Sequence, residues 1–238
     1  MSFKENNDLL KKLNHIPHLN LNKSFNLELL KSEYNNIDKS MFHAYNSASR
    51  TDRIRNTVNT SWWGCSLTSS TGMTDGDLTE NPRSSCYYLT EAAKLCPYMM
   101  SVVNELSDEN TSSARIMLVK PGGQLTWHTH QIHDVNTAFS FGEMTIHIPI
   151  ICPPKFKYSV IPIEEYRLVD FETIKPKTYS MRYPEGEAWV FNSHHMHNIF
   201  NYDDHDRVSL MIYLYIDNEK TRNIILDAVR SYSGELIP

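Results

Sequence analysis

ARIMLVKPGGQLTWHTH, residues 114–130, is the stretch from which the fold can be read. It is an apolar strand, a Pro121-Gly122-Gly123 turn, and a second strand ending in His128-Thr129-His130. Successive side chains of a strand point to opposite faces, so a His-x-His aims two imidazoles at one point. A third imidazole, His197 in NSHHMHNIFN (residues 192–201), would complete three ligands on one side of a metal and leave positions open for substrate and oxygen. Eight of the eleven histidines lie between His128 and His205, which is too concentrated for scattered surface residues.

Outward from this stretch, strands continue. EMTIHIPII (143–151) puts Met144, Ile146, Ile148 and Ile150 on one face and Thr145 and His147 on the other. GEAWVFN follows a Pro184-Glu185-Gly186 turn. RVSLMIYLYI (207–216) separates Val208, Leu210, Ile212, Leu214 and Ile216 from Arg207, Ser209, Met211, Tyr213 and Tyr215. A sheet with one aliphatic and one mixed face is covered by helices on the first and lines a cavity on the second. Helical spacing marks residues 25–37 and 219–232, and Thr90 is placed to cap a helix toward Leu106 that Pro97 divides or restarts. Polar loops broken by short strands are expected from Arg50 to Ser85. The fold class expected is mainly β with flanking helices: a double-stranded β-helix, the jelly-roll or cupin-like barrel. One domain spans residues 1–238, with a helical and loop annex to residue 110, a β-helix core over 111–217 and a closing helix over 218–238.

The 238 residues are 40% hydrophobic and 21% charged, with a net charge of −5, which argues against a nucleic-acid partner. No apolar run is long enough to span a membrane, and the polar N-terminus lacks the pattern of a secretory signal. Cys65, Cys86, Cys96 and Cys152 show no paired spacing, so reduced thiols in a cytoplasmic protein are expected, with a Cys65–Cys86 disulfide the alternative. The oligomeric state is left open.

Two metal-barrel patterns fit the histidines. The cupin signature matches Gly122, His128, His130 and Asp134, then Gly186, His197 and Asn201, although Asn192 and His194 stand where cupins usually have Pro and Gly. A closer resemblance is to the aspartyl/asparaginyl β-hydroxylase family of iron(II)/2-oxoglutarate oxygenases. It rests on a strand leading to Pro121-Gly122 with His128 seven residues past the proline, the His147-Ile148-Pro149 strand, Gly186-Glu187-x-Trp189 with His197 beyond, and Arg207 ten residues past His197. The resemblance covers about residues 90–217 and implies Fe(2+) and 2-oxoglutarate as cofactors and O2 as co-substrate. His128 and His197 would hold the metal, and Arg207 with His147 the distal carboxylate of 2-oxoglutarate. Many relatives have His-x-Asp where this chain has His128-Thr129-His130. His130 is taken as the third ligand, with a water or Asp134 as the open alternatives. The implied reaction is hydroxylation of an unactivated C–H bond of an amino acid, peptide side chain or small metabolite. Trp127, Gln131, Asp134 and Trp63 are candidates for the substrate pocket, together with Trp62 and Gln124, and Arg115 or Arg182 for a substrate carboxylate. A three-histidine cupin dioxygenase or isomerase that does not use 2-oxoglutarate is the alternative function, and a metal-free binding barrel is a third reading.

Overall fold

A computed structural model describes residues 8–9, 11–44, 61–76, 86–128, 144–162, 177–193, 195–214 and 219–237. Residues 8–9 and 11–13 are helical, and among the described residues after them are twelve strands and four further α-helices. In chain order these are β1 (His18–Ser24), α1 (Leu27–Asn36), β2 (His43–Ala44), β3 (Trp62–Ser69), β4 (Tyr88–Leu89), α2 (Glu91–Lys94), α3 (Pro97–Leu106), β5 (Ala114–Val119), β6 (Gln124–His128), β7 (Met144–Ile151), β8 (Phe156–Ile161), β9 (Tyr179–Met181), β10 (Glu187–Phe191), β11 (Met196–Asn201), β12 (Arg207–Leu214) and α4 (Glu219–Ser231). A 3-10 turn covers Lys39–Met41.

The large sheet runs β1-β10-β7-β12-β5-β3-β2, with β4 paired to β3, and the small sheet runs β6-β11-β8-β9. Every strand pair is antiparallel. This is the double-stranded β-helix. The alternation in β7 and β12 sorts residues as the sequence indicates. Ile146, Ile148, Ile150, Val208, Leu210 and Ile212 join an aliphatic core with Leu30 and Tyr34 of α1, Met99, Val102, Val103 and Leu106 of α3, and Ile225, Leu226 and Val229 of α4. Met117, Val119, Trp189, Phe191 and Met211 turn the other way and meet Phe156, Tyr158, Val160 and Ile199 of the small sheet in a second, largely aromatic core. Pro149 sits inside β7, where a proline removes a ladder donor. The register slips between Val208 and Ser209 beside it, and the Pro149 carbonyl accepts from Gly186 N–H at 2.8 Å.

Local signals explain the helix boundaries. Asn26 caps α1 through its side chain onto Leu29 N–H. Thr90 caps α2 through Ala93 N–H, and Pro97 opens α3 as a separate helix. Glu33 of α1 accepts the Tyr98 and Met99 N–H groups at 2.6 and 2.8 Å, neutralising the exposed donors of the first turn of α3.

The boundary expected at residue 110 does not separate annex from sheet. β1 and β3 belong to the large sheet, the former against β10 and the latter against β5. β1 escapes a sequence reading because HLNLNKS alternates only Leu19 and Leu21 against polar neighbours. No disulfide joins the four cysteines. Among the described residues no helix is long and apolar enough to cross a membrane.

Candidate active site

Arg207 opens β12 on the inner face of the large sheet, between the two sheets, and is 0% exposed. Its Nη2 donates to the Tyr158 hydroxyl and to His147 Nδ1, the latter at 3.3 Å. Rings of Phe156 and Tyr158 lie 5.0 and 5.3 Å from its guanidinium carbon. Nε and Nη1 of the same guanidinium meet no hydrogen-bond acceptor among the described residues. Burial pulls its pKa from 12.5 down to about 10, so the group stays cationic at neutral pH. Cys152 does not balance that charge. Burial pushes its thiol up, outweighing the nearby Arg207 and Arg182, so it is neutral. A buried cation with two unmatched donors, one at Nε and one at Nη1, calls for an anion such as a carboxylate.

His147 lies one strand over, in β7, and is 1% exposed. Accepting at Nδ1 puts its proton on Nε2. Its ring contacts Phe191 at 5.0 Å, and Phe191 contacts the His197 ring at 4.8 Å. A continuous line of rings therefore connects Arg207 to His197. Nδ1 of His197 donates to the His195 carbonyl at 3.1 Å, which leaves the lone pair of the neutral ring on Nε2.

His128 occupies the register position directly opposite His197 across β6 and β11. A β-bulge produces this pairing. Ile199 pairs with Leu125, so regular alternation would bring Trp127 to His197. Instead three residues of β6 span two of β11, and the partner is His128. Trp127 consequently lines a groove of about 880 Å3 on the outer face of the small sheet, with Lys157, Asn198, Phe200 and Tyr202. That face is opposite to the one holding His197 and Arg207.

The start of β12 is held by Asn201, which is 0% exposed. Its Nδ2 donates to the Val119 and His205 carbonyls at 3.0 and 2.8 Å, and its Oδ1 accepts from Asp203 N–H at 3.2 Å. Its backbone exchanges bonds with Gly122 and Gly123, both at 2.9 Å. Gly122 has φ +72°, and a Cβ on Gly123 would sit 2.8 Å from the Lys120 carbonyl, so both glycines of the turn are needed. Asn201 thus ties the turn before β6 to the turn before Arg207.

The structure brings His147 and Arg207 into contact and puts His128 opposite His197. His130, Gln131 and Asp134 lie outside the described residues. Trp63 packs against the aliphatic core, and Trp62 takes the inner face with Val119. The exchange follows from alternation in β3, whose register the sequence alone does not set. Arg182 donates to the Cys152 and Pro153 carbonyls at 3.1 and 3.2 Å and so braces the chain after β7. Tyr158 and Phe191 were not anticipated as site residues. The only signal was their phase: Phe156, Tyr158 and Val160 alternate inward, as Trp189 and Phe191 do.

No curated protein sequence matches the chain. Among solved structures, an oxidoreductase of the 2OG-Fe(II) oxygenase family from Burkholderia pseudomallei aligns over 90% of this chain and 89% of its own, with TM-score 0.50 and 8% identity. That is a likeness of fold. A cupin domain from Bordetella pertussis Tohama I aligns over 42% of this chain and 78% of its own, with TM-score 0.28 and 15% identity. The family model described as aspartyl/asparaginyl beta-hydroxylase matches residues 24–215, from the end of β1 past the end of β12. The chain belongs to the aspartyl/asparaginyl β-hydroxylase family.

Proposed function

We propose that this protein is an iron(II)- and 2-oxoglutarate-dependent oxygenase that hydroxylates an unactivated C–H bond of an amino acid, a peptide side chain or a small metabolite. The observation that carries the reading is Arg207, a buried guanidinium whose Nε and Nη1 face no acceptor among the described residues. The distal carboxylate of 2-oxoglutarate would supply the acceptor that these donors lack. His147 and Tyr158 hold the guanidinium at Nη2 and fix its plane.

His128 and His197 would hold the iron; the support for this is that they stand at directly paired positions of antiparallel strands. The third protein position falls to His130, to a water, or to Asp134. When bound, iron and 2-oxoglutarate supply the oxidative chemistry, in which O2 yields succinate and CO2 from the keto acid and a hydroxyl group on the substrate. The chain's part is to orient and to keep water out. Tyr158, Tyr183 and Trp189 form a stack at 4.1 and 5.0 Å beneath the site, and Ile199 and Phe191 close its wall. Burial raises the Tyr183 phenol well above 10, so this wall stays uncharged.

The test is the formation of succinate when iron-loaded protein, 2-oxoglutarate and O2 are mixed, with and without an amino-acid and peptide panel. Succinate above the metal-free background supports the reading. A protein that neither binds 2-oxoglutarate nor forms succinate refutes it.

A further inference from the structure

Trp127 and Gln124 face away from the barrel interior and line the groove on the outer face of the small sheet. Its volume of about 880 Å3 is that of a small-molecule site. The registers set its side chains in rows. Lys157 of β8 pairs with Phe200 of β11, and Phe200 with Gln124 of β6. The next row, roughly 7 Å along at strand rise, holds Asn198, its partner Ser159, and Ser180 of β9. The bulge of β6 brings Trp127 to this second row. In the other direction, Lys155 and Tyr202 follow the Phe156–Asn201 pair.

Charge in the groove is one-sided. Lys155 and Lys157 line it, and no aspartate or glutamate does. Five lysines elsewhere each meet a carboxylate. The ammonium groups of these two meet no partner among the described residues. Two residues apart on one strand face, their Cα atoms stand roughly 7 Å from each other, so both can reach one anion. Asp203, behind Lys155, turns its carboxylate to the Lys155 and Asp204 N–H groups and to the His205 ring. Aromatic surface adjoins the charge. Phe200 and Tyr202 stack at 3.8 Å, Tyr202 is 62% exposed, and Trp127 is half-buried. The Ser159 and Ser180 hydroxyls share one hydrogen bond of 2.8 Å, which leaves one hydroxyl proton for a ligand.

We infer that this groove is a second binding site, for a nucleoside phosphate, with the phosphate between Lys155 and Lys157 and the base against the aromatic side chains. Two compact ammonium groups suit a phosphate dianion and balance its charge. A nucleobase has a flat face for Trp127, one row from Lys157. The chain's net charge of −5 repels a long polyanion but not a small one. Lying on the face opposite to Arg207 and His197, the site does not rest on the oxygenase reading. An occupant stacked on Trp127 braces the end of β6, one residue before His128.

The experiment titrates the full chain by calorimetry, in low salt with EDTA, against AMP, GMP, CMP and UMP. The comparison probes are the matching nucleosides, inorganic phosphate, ribose 5-phosphate, a triglutamate peptide and a single-stranded oligodeoxynucleotide. At least one nucleotide is expected to bind about tenfold or more tighter than its nucleoside, inorganic phosphate and ribose 5-phosphate. The double variant Lys155→Met, Lys157→Met should lose about tenfold or more, and Trp127→Leu about fivefold or more. Added salt should weaken binding by wild type. Arg207→Met should bind the nucleotide as wild type does. The two lysines are exposed, so their variant keeps the test decisive where Trp127→Leu does not fold. The inference is overturned if no nucleotide binds, or if inorganic phosphate or ribose 5-phosphate binds as tightly. It is also overturned if either folded groove variant keeps wild-type affinity, or if triglutamate or the oligonucleotide binds more tightly than every mononucleotide. Loss of the nucleotide in Arg207→Met would put the ligand inside the barrel and overturn it as well.

Discussion

Replacing Arg207 with methionine separates a binding role from a structural one. Burial lowers the pKa of this guanidinium from 12.5 to about 10. The folded protein therefore holds its proton less tightly than the unfolded chain, and the cost is carried in full at every pH below about 10. It is relieved only as pH rises through the interval from 10 to 12.5. At about 1.4 kcal/mol per pH unit, the charge costs about 3 kcal/mol at pH 7. Methionine keeps most of the volume and removes the charge. Tyr158 and His147 lose a shared donor, but the hydroxyl and Nδ1 lie 3.4 Å apart and can bond to each other. The ligand-free Arg207→Met protein is thus expected to be as stable as wild type or more so, with a melting midpoint raised by up to about 10 °C at roughly 2–4 °C per kcal/mol for a chain of this size. Binding moves the other way. At least one charge-assisted hydrogen bond of about 1.5–3 kcal/mol is lost to 2-oxoglutarate, so its affinity should fall by about tenfold or more. Calorimetric titration of 2-oxoglutarate into manganese-loaded protein measures the second effect, and thermal unfolding measures the first. A variant that melts more than about 5 °C lower yet binds 2-oxoglutarate normally would show that Arg207 is a structural residue and refute the reasoning.

Three further outcomes are expected. His197→Ala should lose stoichiometric cobalt(II) binding, followed by its visible absorption, whereas His43→Ala, at the edge strand β2 and bonded to Thr74 Oγ1 at 3.1 Å, should keep it. Asn201→Ala strands two carbonyls and an N–H and should cost about 1–3 kcal/mol in urea unfolding, and it should also weaken 2-oxoglutarate binding, because the turn before Arg207 loosens. His18 is held near pKa 4 by burial, against an ordinary 6.5, so it stays neutral when folded while the unfolded chain takes up protons. Its contribution is complete above pH 6.5 and is lost as pH falls toward 4, by up to about 3 kcal/mol. Urea midpoints stepped from pH 7 to 4 should show the fall, and His18→Leu should flatten it.

Much of this was legible because β periodicity is strict. β7 and β12 sort aliphatic from polar side chains residue by residue, and that sorting alone puts His147 and Arg207 on one face. Arg207 is recognisable as an inner residue for the same reason. What the sequence hides is register. Nothing in SWWGCSLTS says which tryptophan of the pair faces inward, since both neighbours are apolar or small. β1 hides for a related reason: it is an edge strand, so half of its alternating residues are polar and its signal is weak. Tyr158 could be placed inward by phase but not beside Arg207, because that contact joins the two sheets and depends on how they stack.

The extra residue in β6 is strand length that the pairing of the two histidines can lose. Shortening the chain by one between Leu125 and His128 would restore regular pairing with the imidazole still opposite His197 and the indole opposite Asn198. A single-codon loss at position 126 should therefore leave metal uptake in place while the barrel still folds, although the same loss in most strands would turn every following side chain to the other face.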